Sequence, residues 1–193
     1  MKRIKNLCAS VGLSVFCLSL TGCPLWFPEP EASPDEDVQN ALFAFAVLSS
    51  IFELEGSWPD LGFCSAGTCN SGFGSLTVTR QPQYIEWTDA SPFTYHIFAF
   101  NNISNVIYFQ QISFPAFPTN NGKFGAIHYV GPTTDCQNGK SLCFYYCETV
   151  SGQSSLEEAI SADRSAGYST TTVSQASQNG SCGAFSHSVA YAN

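Results

Sequence analysis

Six of the nine cysteines, Cys64, Cys69, Cys136, Cys143, Cys147 and Cys182, lie beyond residue 60, and they restrict the fold more than any other feature of the chain. An even set of this kind, in a chain that leaves the cytoplasm, reads as three disulfides formed in an oxidising compartment. Many pairings are open to six cysteines, and geometry removes several. Leu142 to Cys147 reads as one strand, which would hold Cys143 and Cys147 about 13 Å apart, too far to bridge. Cys136 and Cys143 flank Asn138-Gly139, a tight-turn pair able to bring them together across a hairpin. Cys64 and Cys69 enclose Ala66-Gly67 in a short loop, which leaves Cys147 for Cys182. Zinc is the rival use of these thiols. There is no Cys-x-x-Cys pair, and His96, His128 and His187 are scattered, so neither a metal nor any other cofactor is expected.

Export is signalled by the first residues. Lys2, Arg3 and Lys5 precede an apolar run from Leu7 to Leu20, the layout of a secretion signal. Those fourteen residues rise only about 21 Å as a helix. A hydrocarbon layer of roughly 30 Å disfavours a permanent span. Leu20-Thr21-Gly22-Cys23 follows directly and resembles the lipobox of bacterial lipoproteins. That resemblance covers only the leader. It implies cleavage between Gly22 and Cys23, a diacylglyceryl thioether on the Cys23 sulfur and an acyl group such as palmitate on its amine. Several acyl chains make a stable anchor where one holds only marginally. Pro24 in place of Asp after the lipidated cysteine implies the outer membrane, by the sorting rule of that class. Cys8 and Cys17 leave with the leader and Cys23 takes lipid, which is why the six others form an even set.

Charge narrows the partners. Seven Lys+Arg stand against fifteen Asp+Glu, a net charge of −8, and beyond the leader the cations are Arg80, Lys123, Lys140 and Arg164. These are too few to neutralise a phosphate backbone, so nucleic acid is excluded as a partner. A surface of this sign is not drawn to anionic headgroups either, and membrane attachment would rest on the acyl chains. With 44% hydrophobic residues, including sixteen Phe and eight Tyr, a chain of 193 residues can bury the core of one domain.

The organisation then reads as residues 1–22 signal peptide, 23–33 tether, 34–55 a helix packed on the body, and 56–193 a single β-rich domain. Four prolines between Pro24 and Pro34 make the tether extended and semi-stiff. Trp26 and Phe27 either lie in the membrane interface or pack on the domain. Ser33 as cap, Pro34 at the first helical position, then Asp35, Glu36 and Asp37, start a helix that should run to about Leu54. Its middle, Ala41 to Leu48, is apolar all round and calls for burial.

From Gly56 onward, short runs rich in β-branched and aromatic residues alternate with Pro, Gly, Asn and Asp. Expected strands are Leu76–Thr79, Tyr84–Trp87, Thr94–Phe100, Ile103–Ile112, Lys123–Val130, Ser141–Glu148 and Cys182–Tyr191. Ser154 or Ser155 caps a short second helix over Leu156–Ile160. The fold class is therefore mainly β: an antiparallel barrel or sandwich of about seven strands, disulfide-stapled, with one N-terminal helix and one short helix. Gly56-Ser57-Trp58 resembles the G-x-W opening of lipocalin-type barrels, although the final segment lacks the Arg which that pattern sets against the Trp. The body also resembles, loosely, a group of bacterial secreted proteins and lipoproteins with no assigned activity. The shared elements are Tyr95-His96-Ile97, Phe100-Asn101-Asn102, Gly122-Lys123-Phe124, Tyr145-Tyr146-Cys147 and Gly180 to Ser186. This second resemblance implies a common fold and a Cys147–Cys182 bridge.

Catalytic motifs are missing: there is no G-x-S-x-G elbow, H-E-x-x-H helix, Walker loop or dinucleotide fingerprint. His96 and His128 could act with Asp89, Asp135 or Glu86, but their spacing specifies nothing, and packed or surface histidines are the simpler reading. No catalytic residue is assigned. Gly72 to Ser75 precedes a strand and reads as a turn. The leading expectation is a lipid-anchored, non-enzymatic envelope protein, structural or macromolecule-binding, with a filled interior. The alternative is a lipocalin-like carrier of a small apolar or aromatic ligand, which requires a cavity of several hundred cubic ångströms.

Overall fold

Pro59 has no N–H to give to a ladder, and it splits the first β stretch into two strands that pair in different places. Around that break the computed structural model describes residues 51–90, 93–116, 118–178, 182 and 187–192. All belong to the second of two units, Met1–Gln39 and Asn40–Asn193. Gly22, Cys23, the tether and the helix as far as Ser50 lie outside the described residues. The end of the expected helix, Ile51–Leu54, is described and is not helical. The Glu55 N–H closes a turn there on the Phe52 carbonyl at 3.2 Å.

Ten strands form one antiparallel sheet. They are β1 (Gly56–Trp58), β2 (Asp60–Ser65), β3 (Thr68–Cys69), β4 (Leu76–Arg80), β5 (Ile85–Asp89), β6 (Thr94–Asn101), β7 (Val106–Ser113), β8 (Phe124–Thr133), β9 (Cys143–Gln153) and β10 (Ser188–Tyr191). The spatial order is β1-β4-β5-β6-β7-β8-β9-β10-β2-β3. This corrects the expectation of about seven strands in a barrel or sandwich: the strands share one ladder, and the ladder does not close on itself. β1 is one edge, pairing Trp58 with Leu76, while β2 pairs Asp60 with Tyr191 near the other. Since a single residue, Pro59, joins those two strands, the sheet must curl until its ends meet.

β2 is absent from the expected strands, because Gly62 and Cys64 dilute its β pattern. Glycine at 62 has a steric cause. A Cβ there would lie 1.9 Å from the Asn70 carbonyl oxygen, where the following loop folds back on β2. That loop is stitched down by Leu61 N–H to the Gly74 carbonyl and Phe73 N–H to the Leu61 carbonyl, at 2.9 and 3.0 Å.

Period-two alternation sorts side chains to two faces. Inward, Trp58, Leu61, Leu76, Val78, Ile85, Trp87, Ile97, Phe109, Ile127, Tyr129 and Phe144 are buried together with Phe52 and Leu54. The Trp58 indole N–H donates to the Leu54 carbonyl at 3.1 Å, fixing the turn against the sheet. Outward, Cys64, Cys69, Val130, Cys143, Tyr145, Val189 and Tyr191 form a second cluster with Ala176. Helices cover part of this outer face. Helix α1, Leu156–Ala166, runs six residues past its expected end, and Ser155 caps it, accepting from the Glu158 N–H at 3.2 Å. Gly167 then takes the left-handed conformation that stops it. Helix α2, Val173–Ser177, stands where the sequence reads as loop; Thr172 and Gln175 cap each other at its start. The cysteines pair as Cys64–Cys69, Cys136–Cys143 and Cys147–Cys182.

Candidate functional site

The interior is not filled. One part of the inner face is packed around Trp58 and Phe144, whose rings meet edge to face at 4.6 Å. Beyond Trp87 and Tyr146, at 5.8 and 5.5 Å from Phe144, the packing stops and a cavity of about 670 Å³ opens. That volume is of the size that small-molecule sites use, and it overturns the expectation of a solid core.

Inward residues of six strands build the wall: Leu61 and Phe63 on β2, Trp87 and Asp89 on β5, Tyr95 on β6, Ile127 on β8, Tyr146 and Glu148 on β9, and Ser188 opening β10. Register explains why they converge. Trp87 pairs with Tyr95, Ile127 with Glu148, and Ser188 with both Tyr146 and Phe63, so each lies beside the next along the curled sheet. Two edge-to-face phenylalanine pairs, Phe63–Phe73 and Phe93–Phe114, add to the lining, and Phe63 and Phe73 are half-exposed.

Glu148 is the unusual member. It projects from β9 on the same face as Phe144 and Tyr146, where apolar burial would be the rule, and its carboxylate accepts from the Tyr95 hydroxyl at 3.3 Å. Burial pushes its pKa up to about 7, against the lowering effect of hydrogen bonds from Ser151 and Tyr95. Burial and the neighbouring Glu148 charge push the Tyr95 phenol upward too.

The histidines singled out by sequence lie on the outer face, away from this cavity. His96 stacks on Tyr84 with ring centroids 3.7 Å apart and faces Glu86 at 3.8 Å. His128 meets Asp163 of α1, a residue that no sequence motif marks, rather than Asp89 or Asp135; its Nε2 lies 2.7 Å from the carboxylate. The same carboxylate accepts from the Tyr108 and Thr149 hydroxyls, both at 3.1 Å. Burial acts to raise the Asp163 pKa, and these hydrogen bonds outweigh it, holding the carboxyl below its ordinary value. The cluster clamps α1 onto β7, β8 and β9. His187 is fully buried, and burial pushes its pKa down to about 4. One of its ring nitrogens comes within 4.8 Å of the Cys147 and Cys182 sulfurs, but both sulfurs are joined in the disulfide and offer no thiolate to a metal.

Glu148 and His187 titrate in opposite senses. Between about pH 4.5 and 7 the folded chain holds a proton on Glu148 that the unfolded chain has lost, so its stabilisation is full below that window and is lost as pH rises through it. Between about pH 4 and 6.5 the unfolded chain binds a proton that buried His187 refuses, so stability is lost as pH falls. In the wild type these slopes nearly cancel over their overlap. Glu148→Gln should unmask the histidine slope and raise stability at about pH 8 by on the order of 1–3 kcal/mol. Urea midpoints at about pH 5 and 8 check it; a variant no more stable than wild type at the higher pH overturns the assignment.

The fold and the cavity together define a curled antiparallel sheet, disulfide-stapled, with a largely apolar cavity on its inner face. No protein-family model, curated protein or solved structure matches the chain.

Proposed function

We propose that this protein is a binding protein for a small, largely apolar molecule, held in the cavity of its curled sheet and tethered to a bacterial envelope through lipid on Cys23. The cavity is the observation that carries this reading. It is mainly aromatic and of ligand size, with a few polar groups converging on it. A structural or macromolecule-binding role calls for a packed interior, and is the weaker reading for that reason.

The strand order supports a lipocalin-like enclosure. Counting β1 with β2 as one strand broken at Pro59, and leaving out the two-residue β3, ten strands become eight in up-and-down order. Trp58 of Gly56-Ser57-Trp58 sits in the packed part of the interior, as a plug would. Phe144 packs edge to face beside it. The anchor rests on the order of Lys2, Arg3, Lys5, the apolar run and Leu20 to Cys23. Outer-membrane residence rests on Pro24.

Titration with the neutral fluorophore N-phenyl-1-naphthylamine tests the reading. Saturable enhancement is expected, weakened by about tenfold or more in Ser188→Phe, which fills the cavity wall. Enhancement that does not saturate, or that ignores the substitution, overturns it. In the same cells, wild-type protein should fractionate with membranes and Cys23→Ala should not.

A further inference from the structure

We infer that the cavity takes a small organic cation, an aromatic or alkyl ammonium, whose charged nitrogen sits against the Glu148 carboxylate. This rests on the cavity being a ligand site, and it names the charge that such a ligand must carry.

The wall contains two carboxylates, Glu148 and Asp89, and no Lys, Arg or His among the described residues. All four cations beyond residue 50 are among those described. Arg80 pairs with Glu55, Lys140 pairs with Asp60 at 3.0 Å, and neither Lys123 nor Arg164 lines the cavity. Glu148 therefore meets hydroxyl donors, from Tyr95 and Ser151, and no counter-charge among the described residues. A partly buried carboxylate in that state is costly, and a positive ligand offsets the cost while an anionic one adds to it. A neutral ligand does neither. Trp87, Tyr95 and Tyr146 line the same wall, and aromatic rings attract ammonium groups through their quadrupoles.

The charge should also make binding pH-dependent. The other titratable groups in the cavity wall are Tyr95 on β6, which donates to Glu148, Tyr146 on β9 and Asp89 at the end of β5. Burial raises both phenols above their ordinary value, so they stay neutral near pH 7. Ammonium binding should then strengthen as pH rises through about 7, where Glu148 gives up its proton.

Displacement of N-phenyl-1-naphthylamine by 2-phenylethylamine, 2-phenylethanol and 3-phenylpropanoate separates the possibilities. At about pH 8 the amine should displace the probe at a concentration about tenfold or more below the alcohol, with the carboxylate weakest. Glu148→Gln should erase the gap between amine and alcohol. The wild type at about pH 5.5, where the amine remains an ammonium but Glu148 is protonated, should show the same loss without any substitution. If the probe binds and the alcohol or the carboxylate competes as well as the amine, the cation inference falls and the binding function stands. If the probe itself does not bind, both fall.

Discussion

Replacing Phe144 with alanine should destabilise the protein by about 3–5 kcal/mol, the range for emptying a fully buried aromatic site. Phe144 has no exposed surface, and its ring touches those of Trp58, Trp87 and Tyr146 at 4.6, 5.8 and 5.5 Å. It forms the boundary between the packed part of the interior and the cavity. Three large rings cannot close over the gap, because Trp58 is tied to the Leu54 carbonyl and Trp87 is held by its pairing with Val78 and Tyr95. The void should therefore persist and join the cavity. Urea unfolding gives the energy, and tryptophan emission, shifted toward the red as both indoles meet water, gives the site. A loss under about 1 kcal/mol would mean that the interior is not packed as described.

Removing the Cys147–Cys182 bridge, by alanine at both positions, should cost roughly 3–4 kcal/mol on the loop-closure model. The bridge closes 35 residues and encloses both α1 and α2. Cys64–Cys69 and Cys136–Cys143 close loops of only 5 and 7, where the same model gives roughly 2 kcal/mol each. The ordering is the test: denaturant midpoints of three double-alanine variants should place the Cys147/Cys182 pair lowest. It matters for the site as well, since Cys147 lines the cavity. Equal losses for all three pairs would show that this bridge constrains the unfolded chain no more than the short ones do.

Much of this is legible in the residues. Thr94 to Phe100 announces a strand, and β6 is that strand, one residue longer. Ser154 or Ser155 with the acids that follow announces the start of α1, and the structure makes Ser155 its cap. β2 is not legible, because Asp60, Gly62 and Cys64 give little β signal by themselves; its stability comes from pairing with β10, more than a hundred residues later. Ile103 reads as a strand residue and is almost fully exposed in a turn, where Asn101 accepts from the Ile103 and Ser104 N–H groups. The site has one readable sign. Along Phe144, Tyr146 and Glu148 the alternation puts an acid on an apolar face, and that conflict marks a candidate position better than any histidine among the described residues.

Local physics is complete within a few residues of sequence: turn pairs, caps, alternation, and cysteines close enough along the chain to meet. Those contacts are enough to decide the β class, the short bridges and the helix that Ser155 caps. Whether the inner face is filled depends instead on how tightly ten strands curl and which side chains then fall short of meeting across the gap. That is a property of distances between residues far apart in the chain, so the cavity, and the placing of Glu148 within it, belong to the tertiary structure alone.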